Sequence, residues 1–187
     1  MPRWKRIPFA LSLALFYACM ATPLLFVADE KSRVLDAAAD LNVLELVGLV
    51  LAWGGVIMEA VADGHKSWVK AAARKRGNAD VSKTFVGPTG GIYGVVRHPN
   101  YFGEVVFWTG LAVTAIPSLG KSVLGWTCST LGLTGIVGLM KKSTASLVAK
   151  QETKYAGQPK FELWKRQVPY PWIPFVKSSP ASGRKTS

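Results

Sequence analysis

The sequence predicts an all-α integral membrane protein, a helical bundle of about four transmembrane helices. Three observations lead there. Nearly half of the 187 residues, 49%, are hydrophobic, and only 18% are charged, against the roughly 25% usual in soluble domains. The apolar residues gather in four runs, at residues 8–27, 43–62, 101–116 and 122–140, and a membrane helix needs roughly 20 predominantly apolar residues. The segments between the runs alternate in charge, as loops on alternate sides of a bilayer do.

The first run follows Arg3, Lys5 and Arg6 and carries small residues near Ala18 to Ala21, features shared with a signal peptide. It approaches a full span and ends without a clean small-x-small cleavage site, so it reads as an anchor. Cys19 and Cys128 each sit inside an apolar run and read as small buried hydrophobes. No spacing of Cys, His or carboxylates in the chain suits a metal.

An acidic loop over residues 28–42, with Asp29, Glu30, Asp36 and Asp40 against Lys31 and Arg33, leads into the second run. A strongly basic loop follows it, with Lys66, Lys70, Arg74, Lys75, Arg76, Lys83 and Arg97. Residues 63–76 continue the helix as a basic amphipathic segment with Trp68 and Val69 on its apolar side. Glu59, Asp63, Lys66 and Lys70 are spaced by four, three and four, which places them on one helical stripe. Two acids followed by two bases leave like charges adjacent at both ends, a repulsion that a polar ligand with hydroxyls and phosphates would relieve.

Gly87-Pro88-Thr89-Gly90-Gly91 forms a turn. The third run is short, or broken at His98-Pro99, because proline lacks an N–H and pushes His98 toward an extended conformation. Asn100 reads as the N-cap of the helix that follows. Arg97, His98, Asn100, Tyr101 and Glu104 crowd this point, and ionisable groups at a bilayer boundary are costly unless they have a function. A helix N-terminus beside Arg97 and His98 suits a phosphate or carboxylate.

The fourth run ends at Lys141 and Lys142, followed by Lys150, Glu152, Lys154 and Tyr155. The aromatic and proline-rich segment at 161–175 is expected to fold back and close a pocket. Trp4, Trp68, Trp164 and Trp172 are expected at membrane–water interfaces. Residues 1–177 read as a single transmembrane domain, and the polar residues 178–187 as a disordered tail. The net charge of +12 is distributed as the positive-inside rule requires for four spans with both termini cytosolic. That topology explains the charge and argues against nucleic acid as a partner.

The stretch G-I-Y-G-V-V-R-H-P-N-Y-F-G-E, Gly91 to Glu104, resembles the signature of the steroid 5-alpha-reductase C-terminal-domain family, closest to its uncharacterised membrane reductases. E-A-V-A-D-G-H-K-S-W-V-K (Glu59 to Lys70) and V-P-Y-P-W-I-P-F extend the resemblance over roughly residues 41–175. The resemblance implies a cytosol-facing pocket for NADPH. Glu59 and Asp63 would contact the nicotinamide or ribose side, and Lys70, Lys83 and Arg97 the phosphates. Asn100, Tyr101 and Glu104 would hold the cofactor, with Lys66, His98 and Lys150 completing the set. The implied reaction is hydride transfer to a conjugated carbon–carbon double bond of a sterol- or isoprenoid-like substrate, with Tyr93 or His98 as proton donor.

Two features depart from the family pattern: a single span precedes Glu59, and Ala149 stands before Lys150 where a glutamate is usual. The R-H-P-x-Y-x-G core is also similar to that of the isoprenylcysteine carboxyl methyltransferase-like family, which implies S-adenosylmethionine as cofactor. Gln151-Glu152 stands where that family has a Glu-Glu pair, and Asn100 with Glu104 favours the reductase. A third reading is a non-catalytic subunit that kept the scaffold. The expected partners are the bilayer and a lipophilic substrate, with a membrane complex or homo-oligomer left open. The expected location is the endoplasmic reticulum or another organelle membrane, if the source is eukaryotic.

Overall fold

The computed structural model describes residues 7–33, 41–77 and 83–176. Arg3, Trp4, Lys5, Arg6, Asp36, Asp40 and the tail at 178–187 lie outside the described residues. The described residues are all-helical, with 80% helix and no strand. The helices are α1 (Ile7–Arg33), α2 (Val43–Lys75), α3 (Pro99–Leu119), α4 (Val123–Tyr155) and α5 (Pro159–Gln167). The first four are long and apolar enough to cross a membrane, and the chain is a multi-pass membrane protein. At 33 residues each, α2 and α4 reach about 50 Å, well beyond a hydrocarbon core of about 30 Å. The surplus of α2 is the basic segment that the sequence places at its end.

Local chemistry starts these helices. Asn42 caps α2: its Oδ1 accepts the Leu44 N–H at 2.9 Å, and Glu45 Oε2 accepts the Asn42 N–H at 2.9 Å. This reciprocal capping box satisfies two donors that no helical carbonyl reaches. Ser122 caps α4, its hydroxyl accepting the Gly125 N–H at 3.1 Å.

The chain is interrupted at His98-Pro99, as expected, and the helix of the third span starts there rather than passing through. It begins at Pro99 and runs 21 residues, because proline at the first helical position gives up only an N–H that has no helical acceptor. Asn100 therefore stands inside the helix, and His98 takes the capping position, its carbonyl accepting the Phe102 N–H at 3.3 Å. Upstream, Gly91–Gly94 forms a single 3-10 turn, with Gly91 at φ 60°.

The chain divides into two compact units, one of residues 1–56 and 104–140, the other of residues 57–103 and 141–187. The first unit is built on close helix approach. A Cβ added to Gly48 would strike Thr114 and come within 2.7 Å of the Gly110 carbonyl. One added to Gly110 would strike the Ala52 nitrogen and lie 2.6 Å from the Gly48 carbonyl. Gly48 and Ala52 on α2 thus face Gly110 and Thr114 on α3, a small-x-x-x-small pair on each helix. Gly132 likewise receives Met20 of α1 at 3.0 Å. Cys19 and Cys128 are free thiols and half-buried rather than fully buried.

The second unit has an aromatic core. Ala62, Phe85, Tyr93, Phe161, Trp164 and Val168 are buried together, with Ile92 and Tyr155 packed against them. Phe85 and Trp164 stack at 5.2 Å, and the Trp164 N–H donates to the Tyr93 carbonyl at 2.9 Å. The segment after α4 therefore folds back, as its composition predicts. Trp164 and Trp172, expected at an interface, are buried at 3% and 8% exposure: folding back makes them core residues. Trp68 remains exposed rather than covered.

Candidate anion-binding site

The second unit contains a small open cleft with a cavity volume of about 60 Å³. Lys66 and Lys70 come from α2, one turn apart on one face. The segment Thr84 to Pro88 supplies one wall, and Tyr93, Arg97 and His98 another. Gln151 and Tyr155, also one turn apart, enter from α4, and Trp164 from α5.

Several contacts hold this frame. The Gln158 side chain reaches the loop wall twice, accepting the Phe85 N–H at 2.6 Å and donating to the Lys83 carbonyl at 2.9 Å. Gln158 is also the N-cap residue of α5, yet its side chain makes no cap; it is committed to the loop instead. The Arg97 N–H donates to the Tyr170 carbonyl at 3.0 Å, so the folded-back segment fixes the backbone beside the guanidinium.

The polar groups of the cleft are unsatisfied to an unusual degree. Among the described residues, six buried side-chain atoms lack a hydrogen-bond partner, and four belong to this cleft: Arg97 Nε and Nη1, His98 Nε2 and Gln151 Oε1. Native folds pair nearly all such atoms with protein or ordered water, so their concentration in one cleft makes it the candidate functional site. Arg97 is only 3% exposed. Burial lowers its pKa, against a raising influence from Glu152, yet a guanidinium keeps its charge. With Lys66 and Lys70 it gives the cleft three cations and, among the described residues, no lining carboxylate, a lining whose charge suits an anion.

His98 responds to the same field. Burial, then the charges of Arg97 and Lys66, push its pKa down to about 3, so the imidazole is neutral at physiological pH. The Tyr93 hydroxyl is pushed up to about 12 by burial and by Asp63, and it donates to the Ala62 carbonyl at 3.2 Å. A stability prediction follows for His98. Between its ordinary value of about 6.5 and 3, the unfolded chain binds a proton that the folded chain refuses. Its contribution to folding is complete above about pH 6.5 and declines as pH falls toward 3. Thermal unfolding in detergent should show this acid loss, reduced by about one proton in His98→Asn; an identical pH profile for the variant would refute it.

Of the residues expected at the cofactor site, Lys66, Lys70, Arg97 and His98 line the cleft, and so does Tyr93. Glu59, Asp63, Lys83, Asn100, Tyr101, Glu104 and Lys150 do not line it. Tyr101 packs its ring 5.9 Å from that of His98, and Glu104 falls in the other compact unit. Trp164 comes from the segment expected to fold back and close a pocket, whereas Phe85, Gln151 and Tyr155 were not expected to line it; the four-residue spacing of Gln151 and Tyr155 places them on a shared face.

Residues 3–168 match the model of a family described as protein of unknown function, DUF1295. The chain belongs to the DUF1295 family. This is a steroid 5-alpha-reductase-like membrane family. The DUF1295 match takes in the first span, reaching upstream of the expected start at residue 41, and stops at residue 168, before most of the V-P-Y-P-W-I-P-F segment. It covers every cleft residue named above. No curated protein and no solved structure matches the chain.

Proposed function

We propose that the protein is a membrane-embedded, NADPH-dependent oxidoreductase that reduces a conjugated carbon–carbon double bond of a lipid-soluble, sterol- or isoprenoid-like substrate. One observation carries the cofactor part: buried, unpartnered Arg97 and His98 atoms line a cleft whose described residues include three cations and no carboxylate. Phosphates satisfy such donors, and a guanidinium and ammonium groups are the side chains that bind them best. NADPH is strongly anionic through its pyrophosphate and 2′-phosphate, whereas S-adenosylmethionine carries net positive charge. Moving the latter into this cleft would set like charges together, so the charge of the site favours the dinucleotide.

Lys66, Lys70 and Arg97 would hold its phosphates, and half-buried Tyr155 offers an aromatic ring beside them. When bound, the dinucleotide supplies a hydride. Of the two proton donors expected, His98 is neutral at physiological pH and so holds no imidazolium proton to give. Tyr93 carries its phenolic proton at physiological pH but donates it to the Ala62 carbonyl, so it would serve as proton source only by giving up that bond. The four spans support a substrate drawn from the bilayer. The loop charges support cytosolic termini and a cytosol-facing cleft; in a eukaryotic source the membrane would be that of the endoplasmic reticulum or another organelle.

Purified protein titrated with NADPH and separately with S-adenosylmethionine tests this reading. The expected result is saturable NADPH binding that weakens with salt, since exposed charge contacts are screened. Binding of S-adenosylmethionine alone would replace it with a methyltransferase, and binding of neither with a non-catalytic subunit.

A further inference from the structure

Gln151 stands apart from the other cleft residues because its orphan atom is an acceptor. Its Oε1 is buried without a donor, while Arg97 Nε and Nη1 in the same cleft are buried without an acceptor. These groups do not satisfy one another, although each would gain by doing so. A phosphate answers Arg97 but gives nothing to Gln151, since a phosphate dianion brings no proton. The ligand must therefore also present an N–H or O–H near an acceptor of its own. Half-buried Tyr155 lines the same cleft with an aromatic ring, backed by the Phe85–Trp164 stack, which suits a planar group carrying the donor.

We infer that Gln151 is a specificity-determining residue whose Oε1 accepts a hydrogen bond from a planar amide or amino N–H₂ of the bound ligand. The inference rests on the dinucleotide reading above. In NADPH that chemistry has two sources, the nicotinamide carboxamide and the adenine 6-amino group, and each places a donor beside an acceptor on one flat edge. A buried acceptor of this kind rejects analogues lacking the donor, because it is then left dry and unpaired.

The test is a binding titration of the purified full chain with three reduced ligands. They are NADPH, its nicotinic acid analogue (carboxamide replaced by carboxylate) and its hypoxanthine analogue (6-amino replaced by oxygen). The wild type should bind one analogue about tenfold more weakly than NADPH, and which one identifies the group read by Gln151. Gln151→Met should bind NADPH about tenfold more weakly and lose the discrimination. Gln151→Glu retains an acceptor and should keep the discrimination at lower overall affinity, because it adds a negative charge beside the phosphates. The ratio between ligands in one folded sample does not move for a merely structural residue. NADPH binding that is insensitive to residue 151, or equal affinity of the wild type for all three ligands, overturns the inference and leaves the reductase reading standing. Absence of NADPH binding in the wild type overturns both.

Discussion

Arg97→Met is expected to make the ligand-free protein more stable while weakening NADPH binding by about 100-fold or more. The two signs share one cause. In the ligand-free fold the guanidinium is 3% exposed, and two of its nitrogens have no partner. Holding that charge out of water costs stability, and a methionine of similar length removes the cost while filling the space. The Arg97 backbone bond to the Tyr170 carbonyl is independent of the side chain and survives the change. Binding suffers because charge-assisted hydrogen bonds to phosphate in a dry cleft are among the strongest contacts a protein makes. Thermal unfolding in detergent and NADPH titration on the same samples measure both effects. A destabilised variant, or one that binds as the wild type does, would show that Arg97 serves the fold rather than a ligand.

Gly110→Ala is expected to destabilise the first unit by about 1–3 kcal/mol, and Gly110→Leu to prevent its assembly. Helix propensity alone predicts the opposite sign, since alanine in a helix interior gains about 1 kcal/mol over glycine. The packing wins because the added carbon meets backbone: it strikes the Ala52 nitrogen and lies 2.6 Å from the Gly48 carbonyl and 2.8 Å from the Ala52 Cα. Backbone within a helix cannot turn aside as a side chain can. Gly54 and Gly138 provide internal controls, because a Cβ at either meets nothing within 4 Å. Their alanine variants should be neutral or stabilising. Size-exclusion profiles after graded heating would order the four variants, and a Gly110→Ala protein as heat-resistant as Gly138→Ala would exclude the close approach.

The cleft shows how far a one-dimensional pattern reaches. Glu59, Asp63, Lys66 and Lys70 do share a helical stripe, but eleven residues of helix extend roughly 16 Å, and only the Lys66 and Lys70 end meets the cleft. Arg97 and His98 were legible because ionisable residues beside a proline and an apolar run have few ordinary explanations. Asn100 was misread because proline at the first helical position moves the cap back to His98. The capping box that does exist, Asn42 with Glu45 three residues on, was present in the sequence at the proper spacing. Gln151 and Trp164 lie more than 50 residues beyond Arg97 in the chain, and no periodicity links positions so far apart.

By itself the sequence determined the all-helical membrane class, the four spans and the cationic character of the loop after the second, because span length and charge placement are local properties. It also determined that the segment after α4, rich in aromatic residues and proline, seeks cover. Tertiary structure decided what that segment covers: Trp164 donates to the Tyr93 carbonyl and stacks on Phe85. It also decided that Gln151 shares a cleft with Arg97 while Glu59 and Asp63 stay outside it. Which donors and acceptors are left unpaired depends on every neighbour in three dimensions, and that residue of unmet hydrogen bonds is what points to an anionic ligand.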